Sequence, residues 1–182
     1  MTLAEYVQLK AFARIDGIYL SILWIAGFVC FLCGLSRPLL GNISVFLAVA
    51  SPIFAAIRLR KFRDYARDGI ISCRRSMAYY MLMFLYASII FALAQVIYFE
   101  FIDGGYLVRA YNELFSQPEI VKVFEQYGLS KDTLNGAIAE IDAASSISIA
   151  VSIMEFNIII GIILSIPVGL LIRRDPNKIL QR

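Results

Sequence analysis

Four apolar stretches, each long enough to cross a bilayer, and a sorting of the basic residues to one side of them constrain this chain more than any motif does. Crossing about 30 Å of hydrocarbon takes about 20 mostly apolar residues in a helix that rises 1.5 Å per residue. Residues 17–35, 38–57, 76–98 and 146–172 meet that requirement. Backbone amides in lipid must be satisfied within the protein, which makes helices the expected form. The chain therefore reads as an all-α polytopic membrane protein with four transmembrane helices, a single membrane domain over residues 1–182. Composition agrees: 60% of the residues are hydrophobic, against roughly 45–50% in a soluble domain. The excess sits in blocks, whereas a globular core would spread it periodically.

Four spans place both termini on one side. That side carries thirteen basic residues: Lys10, Arg14, Arg58, Arg60, Lys61, Arg63, Arg67, Arg74, Arg75, Arg173, Arg174, Lys178 and Arg182. The other side carries four, Arg37, Arg109, Lys122 and Lys131. The positive-inside rule makes the richer side cytoplasmic, so the expected topology is N-in, C-in in a bacterial inner membrane. Eight acids fall on the outer side, from Glu100 to Asp142. The basic residues lie beside spans, where topogenic and lipid-contact roles account for them without nucleic acid.

The connecting segments read as helices too. Residues 2–15 suit a short interfacial helix with Leu3, Tyr6, Val7, Leu9 and Phe12 on its apolar face, leading into an uncleaved first span. Ser36-Arg37-Pro38 predicts a tight hairpin, because proline opens a helix at little cost. Residues 58–75 predict a basic loop, helical as far as Asp68 and ended by Gly69. The outer segment, about 100–145, fits three short helices: one over Tyr106–Phe115, one opened by Pro118 and closed by Gly128, and one capped by Ser130. The third is expected to run on into the last span through Ala143-Ala144-Ser145. Their modest apolar faces would pack on span ends or a partner.

Chemistry is sparse. The chain has no histidine, which removes histidine-based acid–base catalysis and most zinc sites. No Gly-rich phosphate loop appears. No catalytic residue, metal ligand or cofactor is assigned. Cys30-Phe31-Leu32-Cys33 would suit a membrane thiol-disulfide oxidoreductase, but such enzymes need a second outer pair, and Cys73 is on the basic side. Small apolar residues on a helix face are the plainer reading.

The carboxyl and carboxamide residues within the spans are Glu155, Asn157, Gln95 and Asn42. Glu155 lies about 13 Å along the last span from Ser146 at 1.5 Å per residue. An ionisable group that deep costs about 2.5–3.5 kcal/mol on insertion scales. It is therefore expected to face the bundle interior or water, hydrogen-bonded to Gln95, either as interhelical glue or as a proton or cation site. Gly161, Ser165 and Gly169 have the small-xxx-small spacing of close helix packing, within the bundle or between copies. Arg58, Arg60, Lys61, Arg63, Arg67, Arg74 and Arg75 form a topogenic cluster suited to anionic headgroups. An Arg60–Asp64 pair at i, i+4 is expected within it.

Arg67-Asp68-Gly69-Ile70-Ile71-Ser72 before the third span, Tyr98-Phe99-Glu100-Phe101-Ile102-Asp103 at its exit, and Met154-Glu155-Phe156-Asn157 in a Gly-rich last span ending in Arg173-Arg174 resemble a bacterial integral-membrane family, domain of unknown function 4199. The resemblance implies four spans with the long segment before the last, and no established activity. The expectation is a non-catalytic structural or accessory membrane component that self-associates or meets a membrane-protein partner. The alternative is a small transporter or channel subunit using Glu155.

Overall fold

A computed structural model describes residues 2–174, so Lys178 and Arg182 lie outside the described residues. It holds seven helices: α1 Leu3–Gly34, α2 Pro38–Ala66, α3 Cys73–Phe101, α4 Tyr106–Ser116, α5 Pro118–Gln126, α6 Lys131–Ala143 and α7 Ser146–Ile172. The four long ones are each apolar enough to span a membrane. Among the described residues there is no strand, only an isolated bridge between Ile71 and Arg174.

The expected interfacial helix is not separate. It forms the first turns of α1, a single helix of 32 residues that opens with a capping box between Thr2 and Glu5. No proline falls between residues 2 and 35, and Asp16, midway, is neutralised by partners on other helices. Likewise α2 carries its second span directly into the basic segment and stops at Ala66. Asp68 and Gly69 follow at φ 50° and 77°, where the left-handed backbone ends the helix. The third outer helix does not continue into the last span. Ala144 is extended, and the Ser145 hydroxyl caps α7 by accepting from the Ser148 amide.

Sequence order differs from spatial order: α3 packs on α1 and α7, while α2 packs mainly on α1. Small residues set these contacts. A β-carbon at Gly161 would lie 2.5 Å from Phe84 Cβ, and one at Gly169 would lie 2.6 Å from Met77 Cγ. The small-residue stripe of α7 is thus spent inside the chain, against α3. Where α1 and α2 meet at the hairpin, Gly34 and Gly41 touch backbone to backbone. The outer helices form a modest cap: α4 and α6 pack together and bury Leu107, Ala110, Leu134 and Ile138, whereas α5 buries nothing. Tyr106 anchors this cap to the bundle by donating to the Leu32 carbonyl over 3.1 Å.

Because α2 and α7 touch little, the bundle is left with a cleft between them. The core lies toward the end bearing the basic residues, around Leu9, Leu20, Leu59, Phe62, Tyr79, Tyr80 and Phe84.

Candidate functional site

Two places in the bundle hold polar groups away from bulk water, and they differ in kind. The first is at the basic end. Asp16, on α1, is 3% exposed. It accepts from Arg58 Nε of α2 at 2.7 Å, from the same guanidinium's Nη2, and from the Tyr79 hydroxyl of α3. The Phe62 ring stacks on Tyr79 at 4.5 Å, and the Arg58 guanidinium lies 5.2 Å over the Tyr19 ring. One carboxylate thereby joins three helices.

The fourth helix is joined by Arg63, 4% exposed. Its Nη1 donates to the Ile172 carbonyl at 3.0 Å, and its other nitrogens hold Asp64 at 2.7 and 3.1 Å. A cation on the last carbonyls of α7 is well placed for the helix dipole. The Ile71–Arg174 bridge lies beside it, with amide-to-carbonyl distances of 3.3 and 3.0 Å. At the rim, Glu5 of α1 accepts from Arg67 at 2.9 Å and from Arg75 at 2.5 Å.

This changes the reading of the basic cluster. Arg58, Arg63, Arg67 and Arg75 bind acids of the chain itself, which a headgroup role did not anticipate. Two of them, Arg58 and Arg63, lie on α2, which stays helical past its apolar run and turns them onto α1 and α7; Arg67, just after α2, and Arg75, on α3, both reach Glu5 of α1. Arg60, Lys61 and Arg74 remain exposed, with Arg60 3.8 Å from Asp64 at the expected i, i+4 spacing.

The second place is a cavity of about 470 Å³ on the side of the bundle nearer α4–α6, lined from all four spans. Trp24, Phe28, Phe31, Phe84, Phe91 and Phe156 supply ring walls, and Leu23, Leu47, Ile153 and Ile160 supply aliphatic ones. Its polar side chains are Ser44, Ser51, Gln95 and Asn157. Pro52 cannot donate to the Ala48 carbonyl, and the Ser51 hydroxyl donates there at 2.8 Å instead. Gln95 is 1% exposed, and its Oε1 has no hydrogen-bond partner. That orphaned acceptor is the cavity's most distinctive group.

The intramembrane residues singled out from sequence are therefore divided. Gln95 and Asn157 come together at the cavity. Asn42 is exposed on α2. Glu155 does not face the interior: it lies on the exposed face of α7 with Ser148, Val151, Ser152 and Ile159. No hydrogen bond joins it to Gln95 among the described residues. A helix apolar all round carries no periodic signal of which side is buried, and the small residues Gly161, Ser165 and Gly169 turn a different side of α7 toward α3. Cys30 and Cys33 are free thiols, half-buried and exposed.

The sequence reading missed Asp16 and Tyr79. A carboxylate at the edge of one apolar run and an arginine closing the next were the available signal.

A family model described as a protein of unknown function, DUF4199, matches residues 16–174. No curated protein and no solved structure matches the chain.

Proposed function

Since the chain belongs to the DUF4199 family of proteins of unknown function, we propose from its geometry that it is a non-catalytic accessory component of a bacterial inner membrane, with both termini cytoplasmic, and that it works by contact with another membrane helix. The observation that carries this reading is Glu155, an ionisable group about a third of the way along a span yet on its outward face. Left against lipid it costs about 2.5–3.5 kcal/mol on insertion scales. Ser148 and Ser152 precede it by seven and three residues, extending a polar stripe on the same exposed face. Hydroxyl donors and a carboxyl acceptor in one stripe make it complementary to a second copy of itself. A neighbouring helix that covers the stripe converts the cost into association.

The same placement weighs against proton or ion transport, which needs a carboxylate along an internal path. Asp16 and Arg63, the charged groups buried within the bundle, are tied to fixed partners. Arg60, Lys61 and Arg74 remain exposed for anionic headgroups, each worth about 1 kcal/mol near a charged surface.

Proteoliposomes under an imposed pH gradient test the reading. Wild type and Glu155→Gln should both leak protons no faster than empty liposomes. Proton flux present in the wild type and absent in Glu155→Gln would move the protein to the transporter class. In native membranes Glu155→Leu should reduce the size of the solubilised assembly without lowering the melting temperature, because Glu155 makes no hydrogen bond or ion pair among the described residues.

A further inference from the structure

We propose that the cavity between α2 and α7 binds a neutral long-chain amphiphile bearing a hydroxyl or amide group, which enters sideways from the bilayer and hydrogen-bonds to the side-chain amide of Gln95. This is independent of the accessory reading and of Glu155, which faces away from the interior.

Three observations specify the ligand. First, the volume of about 470 Å³ lies within the range of small-molecule sites, and the wall is almost wholly ring and aliphatic carbon, so most of the occupant is apolar. Second, the lining contains no charged side chain. A carboxylate or ammonium brought into this wall would lose its hydration without a counter-charge, so the buried end of the occupant is neutral. Third, the Gln95 side-chain amide lines the wall at 1% exposure, with no hydrogen bond to the described residues. A buried amide without a partner is costly, and an occupant with a hydroxyl or amide group removes that cost.

The Ser51 hydroxyl is committed to the Ala48 carbonyl, and neither Ser44 nor Asn157, the other polar side chains of the wall, hydrogen-bonds to Gln95 Oε1. The tail of an ordinary bilayer lipid would fill the space but has no donor. The slight contact between α2 and α7 leaves a lateral way in.

Trp24, the single tryptophan of the chain, lines the cavity and reports its occupancy. Bromine quenches indole fluorescence on contact, so the full-length protein in detergent would be titrated with a bromine-labelled long-chain alcohol, the alkane of the same length, and the corresponding fatty acid at a pH where it is ionised. The alcohol should quench saturably and at the lowest concentration. Gln95→Leu should raise its half-saturation about five- to tenfold, as expected for one buried hydrogen bond, and leave the alkane unchanged. Ala48→Phe, which adds a ring to the α2 wall, should abolish saturable quenching by all three.

Equal quenching by alcohol and alkane in the wild type, or no effect of Gln95→Leu on the alcohol, would overturn the hydrogen-bonded site and leave a cavity filled by lipid tails. Tighter binding of the ionised acid would overturn the neutral-ligand assignment. Should Gln95→Leu fail to fold, alcohol quenching that survives Ala48→Phe would itself sink the proposal.

Discussion

The two halves of the bundle handle buried polarity in opposite ways. At the basic end every buried charge has a partner from another helix: Asp16 with Arg58 and Tyr79, and Arg63 with the end of α7. In the other half the polar groups are neutral, and two of them, Gln95 Oε1 and Ser88 Oγ, are left without a partner. Satisfied charges fix geometry, because removing one partner strands the other in low dielectric. An unsatisfied neutral acceptor fixes nothing, and its cost of about 1–3 kcal/mol is smaller than that of a stranded buried charge. The first half is a clamp, and the second is a receptacle.

The largest effect that could break this contrast is expected at Asp16. Asp16→Ala strands the half-buried Arg58 guanidinium and the buried Tyr79 hydroxyl. It should cost about 3 kcal/mol, lowering the melting temperature in detergent by about 10 °C. Combining Asp16→Leu with Arg58→Met should recover most of that loss, because an apolar pair can replace a buried ion pair. A double variant as unstable as Asp16→Ala would show that the charges do more than pair. A smaller effect is expected at the rim. Glu5→Ala removes the contacts to Arg67 and Arg75 and should lower the melting temperature by a few degrees at low salt. The deficit should vanish toward 1 M salt, where the Debye length is about 3 Å; a salt-independent deficit would instead point to the lost helix cap. The smallest effect, and of the opposite sign, belongs to the receptacle. Gln95→Leu should leave stability unchanged or raise it by up to about 1 kcal/mol, because it deletes an acceptor that nothing in the chain uses. A clear loss of stability there would mean that both halves are built for rigidity.

The four spans were legible because length and hydropathy determine them almost alone, and the bounds of α7 coincide with the apolar run. The hairpin at Pro38 and the cap at Ser130 were legible for local reasons, since each depends on residues at most three positions apart. The faces of the helices were not. Asp16 meets partners 42 and 63 residues away, and nothing local marks a carboxylate at the edge of an apolar run as buried. Glu155 shows the converse. Cost alone argued that it should turn inward, but α7 is apolar on every side, and its small residues chose the face that packs. The arginines illustrate the same limit: charge counting grouped them at one end of the spans but could not show that four of the seven bind acids of the chain itself.

The Arg63 contact with the Ile172 carbonyl links residues 109 positions apart, and this has a consequence for biogenesis. When α1, α2 and α3 have emerged from the ribosome, Asp16, Arg58 and Tyr79 can already close on one another. Arg63 cannot yet reach its carbonyl, because the stretch that supplies it is made last. The nascent three-span intermediate therefore carries Arg63, held by Asp64, with its Nη1 donor unmet at the seam where α7 will lie. Arrival of α7 closes that seam at the basic end. α7, synthesised after the other three spans, is thus the latch on a structure they have already begun to assemble.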